Sequence, residues 1–320
     1  SCRAELECKQ VTGRFAGMNR RQSTWMLHFI VLIFGFTGIL GKLISLDAER
    51  LVFWRVLLGG GLVWLWLAVR GRVQRFPVRS LWKVALVGCT AAAHWIAFFA
   101  SIKVSNVSVA LATLATTPVF VSVVEPIVHK RKVDPREVVL GVVIIGGLFV
   151  LLWGPAPGGA VSDLSQYYLG VGLALVSAAL AAVFATLNSV LVRSQDSANL
   201  TRVELLSAAV VLAALFLAQG KGLESAHWVV PREDWLWLGL LATLATAFAF
   251  LMSIEVMKEL SPFTTAVAIN LEPVYAIVLA ALIFGDEERM HGGFYLGAAI
   301  IVGAVFVDAW FKRRARTKGV

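Results

Sequence analysis

The chain has 320 residues, of which 58% are hydrophobic and only 15% are charged, whereas a soluble globular protein is about half apolar and about a quarter charged. Together with a mean hydropathy of +0.79, repeated long apolar runs exclude a soluble domain and indicate a polytopic membrane protein. The net charge of +9 would favour nucleic acid as a partner of a soluble protein. Here the basic residues lie in short loops and at the tail, as membrane topology requires.

The chain begins with a polar segment, residues 1–17, that precedes Met18. It has no apolar core, so it is not a signal peptide, and we expect a non-native or disordered extension. After it we predict an all-α protein with ten membrane-spanning helices, linked mostly by short loops. The predicted spans are about 24–46, 51–69, 80–102, 106–128, 136–153, 167–192, 201–219, 233–257, 260–284 and 293–311.

The distribution of Lys and Arg predicts the orientation of these spans. With the N-terminus in the cytoplasm, the inner segments hold most basic residues outside the spans, including Arg70–Arg79, Lys130–Arg136 and the tail from Lys312. The outer loops then hold Arg50, Lys103, Lys221, Arg232 and Arg289. This excess places both termini in the cytoplasm and favours an even number of spans.

The two halves of the chain resemble each other. Pro118-Val119 recurs as Pro273-Val274, and Leu140-Gly141 recurs as Leu296-Gly297. Each half has five spans, an odd number, so the second copy enters the membrane from the opposite side. Inverted repeats around a site near the midplane are typical of transporters, and a matched pair of proline-broken helices, at Pro118 and Pro273, points to that site.

The stretch 264–284 carries the strongest candidate, since Asn270, Glu272 and Pro273 interrupt an otherwise apolar span. A carboxylate at this depth costs several kcal/mol unless it is protonated, paired or facing water. Glu272 is therefore predicted to bind a proton or a cationic group of a substrate, the alternative being a structural acid paired permanently with Arg or Lys. Asn270 lies about 200° around the helix from Glu272, so we expect it to bond a neighbouring helix instead.

Two basic residues lie within predicted spans near the outer side. Arg55, one turn into the second span, is a candidate for binding a carboxylate or another anion in a bidentate manner. Snorkelling to the interface and pairing with an acid are equal alternatives. Lys42 is a similar candidate near the end of the first span, and snorkelling is slightly favoured for it.

Other candidates are polar or aromatic side chains inside spans. His94 would bond substrate or move protons, or it would be a core histidine bonded to a carbonyl. Trp95 could stack on a planar or cationic ligand, although tryptophan is also common in membrane packing. Thr117, beside Pro118, could bond a carbonyl that the proline leaves free or offer its hydroxyl to substrate, and Asn188 is a weaker candidate.

The remaining acids inside spans are interpreted as structural. Glu125, Glu255 and Asp308 lie close to basic residues, and Glu204 is expected in the first turn of the seventh span, where the helix dipole favours a negative charge. The glycines of the spans are interpreted as helix-packing positions.

Several tracts resemble the drug/metabolite transporter superfamily, in its EamA-type ten-helix group. They are 271–287 with 292–307, their counterparts 115–128 with 138–153, and Arg55 within 50–60. The resemblance covers about Trp25–Phe311 and departs from the family at 129–132, His-Lys-Arg-Lys, where members often have Gly-Glu. It implies a central cavity lined by helices 1, 3, 4, 6, 8 and 9, with helices 5 and 10 more peripheral, and transport of amino acids, other metabolites, drugs or sugar conjugates.

These observations predict a secondary-active transporter of the cell inner membrane. Export of a small polar or aromatic metabolite, such as an amino acid, is what the resemblance alone implies. The expected units are a first repeat at 18–153, a periplasmic linker at 154–166, a second repeat at 167–311 and a basic cytoplasmic tail at 312–320. A proton or a counter-solute would supply the energy, and no cofactor, metal or nucleic acid is expected. A passive pore or a receptor is the alternative. A membrane enzyme would need a cluster of acids and histidines near a bilayer face, which the sequence does not show. A homodimer is left open.

Overall fold

The computed structural model describes residues 18–153, 164–269, 271–288 and 290–317, and within them every regular element is helical. The α-helices are α1 (Arg20–Leu43), α2 (Ala48–Val69), α3 (Val78–Val104), α4 (Val107–Leu114), α5 (Thr117–His129), α6 (Pro135–Leu152), α7 (Leu164–Leu191), α8 (Ser197–Ala218), α9 (Asp234–Leu240), α10 (Ala249–Val256), α11 (Pro262–Ile269), α12 (Glu272–Phe284) and α13 (Gly292–Thr317). A π-helix, Leu241–Phe248, joins α9 to α10, and short 3₁₀ turns occupy Lys221–Leu223, Ser225–Trp228 and Gly285–Glu288.

In the described part of the chain, eight segments are long and apolar enough to cross a membrane. Six of them are single helices, and two are composite, Val107–His129 and Asp234–Val256. Two more apolar helices, Glu272–Phe284 and Gly292–Ala304, are shorter. The predicted class, an all-α multi-pass membrane protein, is therefore confirmed, while the count of ten spans stays a prediction.

Short polar side chains set several helix starts. Asn19, Asp47, Asp134 and Asp196 each precede a helix and accept a hydrogen bond from a backbone N–H of its first turn. Such a side chain satisfies one of the donors that a helix start leaves free. The loops between most spans can therefore be short, which keeps consecutive spans adjacent.

Two spans are interrupted near their middle. α4 ends at Leu114 and α5 begins at Thr117, with Pro118 in the first turn of α5. α11 ends at Ile269 and α12 begins at Glu272, with Pro273 in the same position. Proline fits a first turn because the N–H that it lacks has no partner inside a helix there. Both interruptions lie beside a cavity described below.

The bundle has two polar ends. We name the end where α1 begins the N side, and there Asn199 of α8 donates to the carbonyl of Arg72 and accepts from the N–H of Gln74. We name the end where α1 finishes the far side, and there Ser45 donates to Asp234 through both its N–H and its hydroxyl. These bonds join helices that are distant in sequence, so they fix the register of the bundle at both ends.

The largest apolar core lies between α2, α3, α8 and α10, with Phe99, Phe216 and Phe250 among its members. Many large apolar side chains instead remain exposed on the outside, such as Trp64 and Phe149. This outer surface is the one expected to contact lipid, where exposed apolar groups carry no cost.

Some glycines mark close helix contacts and others do not. A Cβ on Gly297 of α13 would lie 2.4 Å from the amide nitrogen of Leu151 in α6, so only glycine allows this approach. Gly146 and Gly303 were also interpreted as packing positions. A Cβ added at either would have no neighbouring heavy atom within 4 Å in the described structure, so no close helix contact requires glycine there.

Replacing Gly88 by alanine should destabilise the protein by at least about 1–3 kcal/mol, the range of overpacked cores. Its Cβ would lie 2.2 Å from the carbonyl oxygen of Glu204, a backbone atom, so α3 and α8 must separate. Gly61→Ala is the matched control, since nothing described lies within 4 Å there and alanine favours a helix over glycine by about 1 kcal/mol. Thermal unfolding in detergent measures both, and equal midpoints would contradict the close contact.

Candidate functional site

A cavity lies between the two interrupted spans and the helices around them. Its volume is about 120 Å³. This is enough for several water molecules, since one water molecule needs about 10–15 Å³. The lining comes from α1, α2, α3, α4, α5, α7, α10 and α11, with the start of α12. This agrees with the helices that the family resemblance implied, and adds Arg55 of the second span.

Aromatic side chains form much of the cavity wall. Trp95 packs edge-to-face on Phe250, with ring centroids 5.0 Å apart, and Phe250 stacks on Phe184 at 5.3 Å. Phe34 and Phe98 complete the aromatic part of the wall. Such a wall suits an apolar or planar part of a ligand, because rings attract rings and cations beyond their buried area.

Arg55 is almost fully enclosed, with 1% of its surface exposed, so it does not snorkel to an interface. Its guanidinium carbon lies 3.9 Å from the centroid of the Trp95 ring, and Nε donates to the hydroxyl of Thr246 at 2.8 Å. Nη1 is buried with no hydrogen-bond partner among the described residues. An enclosed guanidinium with unused donors is arranged to receive an anion.

Thr246 is a site residue that the sequence did not reveal. It lies in the π-helix, and its hydroxyl donates to the carbonyl of Leu241 at 2.8 Å while accepting from Arg55. The π-helical turn, a rare element often found at functional sites, turns this hydroxyl toward α2. A threonine in an apolar run gives no signal of its own, so only the fold identifies it.

Glu272 is the acidic group of the cavity. It opens α12 and is 5% exposed. Among the described residues it forms no ion pair, although Arg55 is near enough to interact with it electrostatically. The binding role predicted for Glu272, and its alternative as a structural acid, both stay predictions. The cavity holds one cation and one carboxylate that are not bonded to each other.

His94 is placed by α7. Its Nδ1 lies 2.9 Å from the carbonyl oxygen of Ser177, and the hydroxyl of Ser177 donates to the carbonyl of His94. The same Nδ1 lies 2.8 Å from the Ser177 hydroxyl. Because a carbonyl only accepts, a proton on Nδ1 fits the contact with the Ser177 carbonyl, and Nε2 is then the acceptor. The carbonyl bond matches the structural alternative for His94, and the ring also lines the cavity. Its role toward substrate or protons stays a prediction.

The remaining predicted residues differ in their positions. Thr117 lines the cavity, and its hydroxyl donates to the carbonyl of Leu114, the group that Pro118 cannot bond. One face of Trp95 is covered by Arg55, which takes the place of a cationic ligand there. Asn270 lies outside the described residues.

Two predicted residues lie away from the cavity lining. Asn188 is fully buried one turn beyond it and donates to Glu204. Glu204 is the eighth residue of α8, not in its first turn, because α8 begins at Ser197. Glu125 and Glu255 form ion pairs with Arg131 and Lys258, as their structural interpretation requires, and the side chain of Asp308 is outside the described set.

Lys42 belongs to a polar cluster on the far side. Its ammonium lies 2.9 Å from a carboxylate oxygen of Glu288, which is fully buried. The same carboxylate accepts from the N–H groups of Val107 and Ser108 and from the Ser108 hydroxyl. An acid at a helix N-terminus is stabilised by the free N–H groups and the helix dipole. The sequence missed Glu288 because it stands in an acidic loop.

Replacing Thr246 by valine should weaken ligand binding about 5- to 150-fold, which corresponds to about 1–3 kcal/mol for an unsatisfied buried donor. The change keeps the shape and removes the acceptor of Arg55 Nε. Thr243→Val is the matched control, since Thr243 lies exposed on the same π-helix and its hydroxyl donates to the carbonyls of Gly239 and Leu240 in the preceding helix α9. Isothermal titration of both variants measures the effect, and equal affinities would show that Thr246 does not position Arg55.

Comparison with known proteins places this architecture. The chain matches the EamA-like transporter family twice, over residues 23–153 and 168–308. It is 20% identical over 280 residues to the "Uncharacterized transporter YxxF" of Bacillus subtilis (strain 168), covering 85% of this chain and 86% of that protein. A crystal structure at 19% identity has a TM-score of 0.68, covering 93% of this chain and 99% of the other, and so shares the fold. Because the two matched segments together span most of its length, the chain belongs to the EamA-like transporter family.

Proposed function

We propose that this transporter moves a small polar or aromatic metabolite, such as an amino acid, out of the cell across the inner membrane. Transport is secondary-active, and the two repeats expose the cavity alternately to the two sides. The observation that carries the proposal is the cavity itself, in which Arg55 of the first repeat and Glu272 of the second face the same aromatic space.

The substrate class follows from the lining. A guanidinium suits a carboxylate, a carboxylate suits an ammonium group, and the aromatic rings suit an apolar or aromatic side chain. A zwitterion with such a side chain suits all three groups. Its carboxylate would pair with Arg55 and its ammonium group with Glu272, which are not paired with each other. The volume of about 120 Å³ favours a small molecule over a peptide or a lipid.

The proposed topology has ten spans in two inverted repeats, 18–153 and 167–311, with both termini in the cytoplasm. The paired interruptions at Pro118 and Pro273, five spans apart, support the inversion. The basic loops support the orientation, because the N side holds Arg70 and Lys130 whereas the far side holds buried Asp234 and Glu288. The N side is then the cytoplasmic side.

We further propose that the structure represents the cytoplasm-facing state. On the far side Glu288 of the second repeat bonds the first turn of α4 in the first repeat. In the first repeat the residue that corresponds to Glu288 is Lys132 on the N side, and a lysine cannot accept such bonds. The start of α11 is instead capped by the adjacent Ser261, whose hydroxyl accepts from Thr264 N–H. The cavity lining also reaches Met257 and Thr265, near the N-side ends of their helices.

A stability screen followed by counterflow tests the proposed function. Purified protein is heated with amino acids, nucleosides, sugars and quaternary amines, and a zwitterion should raise the midpoint. That solute is then loaded into proteoliposomes, where internal solute should accelerate uptake of the labelled form. A passive pore gives uptake without this acceleration, and a receptor gives the stability shift without uptake, so either result would overturn the proposal.

Replacing Glu288 by glutamine should open the far side. The amide loses the ion pair with Lys42 and the charge-assisted bonds to α4, about 1.5–3 kcal/mol each. A cysteine at Thr37, which lines the cavity, should then react faster with a membrane-impermeant thiol reagent added from the periplasmic side, in a background without the native cysteines. The exposed acid Glu224 gives the control Glu224→Gln. Unchanged labelling in Glu288→Gln would contradict the role of this cluster as the outer closure.

A further inference from the structure

Beyond the cavity, the buried carboxylic acid Glu204 lies at the interface of α3, α7 and α8. Glu204 and Asn188 are both 0% exposed, and the Asn188 amide donates to Glu204 Oε2 at 3.3 Å. Glu204 Oε1 and Asn188 Oδ1 are buried with no hydrogen-bond partner among the described residues. Such groups are rare in folded proteins and call for an explanation.

Among the residues that the structure describes, none forms an ion pair with Glu204 that would neutralise an ionised acid. Backbone of α8 contacts α3 closely at Gly88, which leaves no room there for a side chain. A carboxylate anion with one long amide bond would be poorly compensated in this place, whereas a protonated carboxyl group is neutral and can donate from one oxygen. A proton on Glu204 Oε1 would make this atom a donor, and Oδ1 of Asn188, the residue that already bonds the carboxyl group, is an acceptor without a partner among the described residues.

Most charged and titratable groups on α8 and on the elements packed against it have partners elsewhere, while Arg202 Nε of α8 is buried with no hydrogen-bond partner among the described residues. Glu255 bonds Ser197 at the start of α8, and Arg202 of α8 itself donates to the carbonyl of Gln74. The other described groups on α2, α3, α8, α10 and the first 3₁₀ turn are Glu49, Arg50, Arg55, Lys83, Cys89, His94, Lys103 and Lys221. Apart from the Cys89 thiol, which follows Gly88, and the exposed Lys83, each of these has a partner in an ion pair, hydrogen bond or ring contact distant from Glu204.

The position of the pair connects it to the cavity. One face of α7 carries the lining residues Ala181 and Ala185 and then Asn188, at the i, i+4, i+7 spacing of a helix face. On α3, Gly88 and the lining residues Ala91 and Trp95 also share one helix face. Glu204 therefore lies one helical turn beyond the cavity wall, about 5 Å along the axis, but it is not part of the lining.

We propose that Glu204, held by Asn188, is a proton-binding site separate from the cavity and from Glu272. The site takes a proton on Glu204 Oε1, directed at Asn188 Oδ1, and exchanges it with water of the adjoining cavity. Its use as the coupling site of transport rests on the proposed function, whereas the binding of the proton does not.

Infrared difference spectroscopy of the purified protein, reconstituted without any solute, tests the site. The background is Glu272→Gln, so that the cavity acid gives no carboxyl band. We expect a carbonyl band of a protonated carboxyl group that shifts in D₂O and disappears as the pH is raised, since only the protonated form gives this band. Adding Glu204→Gln should remove this band completely. Adding Glu125→Gln, which alters a buried acid paired with Arg131, should leave it.

Three results would overturn the proposal. They are a band that persists in Glu204→Gln, a band that neither titrates nor exchanges with D₂O, and a band that sodium ions abolish at constant pH, which would make this a metal cation site. Asn188→Leu distinguishes loss of the site from loss of the fold. It removes the partner of the proton, so it should move the titration midpoint while the melting midpoint stays within the range of the other variants.

Discussion

Substrate affinity should fall about 10- to 150-fold when Glu272 is replaced by glutamine, because a charge-assisted hydrogen bond contributes about 1.5–3 kcal/mol. Glutamine keeps the size of the side chain and one acceptor oxygen, while it removes the negative charge and turns the second acceptor into an NH₂ donor. Glu272 has no ion-pair partner among the described residues, so its charge is available to the ammonium group of a zwitterion. The effect should therefore appear mainly as a higher KM.

Counterflow with the solute identified by the stability screen measures this effect. Glu259→Gln is the control, because Glu259 is an exposed acid near the N side and the substitution makes the same change in net charge. It should leave KM unchanged. Equal KM values for Glu272→Gln and the unsubstituted protein would show that the ammonium group binds elsewhere. A lost transport rate at unchanged KM would instead assign Glu272 to the conformational step.

The sequence could predict those site residues whose position alone is unusual. Glu272 and Arg55 are charges inside apolar runs, and burying a charge is so unfavourable that its presence there requires a reason. Pro118 and Pro273 are recognisable in the same way, since proline interrupts a span wherever it occurs. For these residues the sequence alone shows a charge or a proline inside an apolar span, where it is energetically unfavourable.

The residues that the sequence missed depend on long-range contacts. Thr246 acquires its role from Arg55, 191 residues away, and Glu288 acquires its role from Ser108, 180 residues away. Neither stands out, because threonine is common in spans and an acid is ordinary in a loop. Glu204 was misplaced for another reason. Its interpretation depended on where α8 begins, and helix boundaries are the least certain part of a sequence-based assignment.

The contacts of Lys42 show what the sequence of one repeat cannot predict. For this lysine near the end of a span the alternatives were substrate binding, snorkelling and pairing with an acid, and snorkelling was slightly favoured over the pairing that the structure has. In the structure it lies over the ring of Phe284, 4.2 Å from its centroid, and pairs with Glu288. Both contacts come from the second repeat. A sequence pattern within the first repeat contains no information about them.

Replacing Arg55 by methionine should abolish transport while the thermal stability stays equal or increases. A buried guanidinium with an unused Nη1 costs folding free energy, and replacing buried charged groups with apolar residues of similar size is often stabilising by about 1–4 kcal/mol. Methionine can fill the space above the Trp95 ring that the guanidinium occupies. A functional residue that strains the native state is the usual origin of such a trade-off between stability and activity.

Arg50→Met is the matched control for this prediction, because Arg50 lies on the same helix but its guanidinium donates to the carbonyls of His227 and Val229 on the far side. Losing those bonds should lower the melting midpoint and leave transport of the zwitterion in place, the opposite pair of effects. Arg55→Lys adds a test of geometry. It keeps the charge but loses the planar fork, so KM should rise by about tenfold or more if the carboxylate binds in a bidentate manner. Should Arg55→Met melt well below the unsubstituted protein, Arg55 would belong to the core of the fold, and the carboxylate of the substrate would have to bind another group of the cavity.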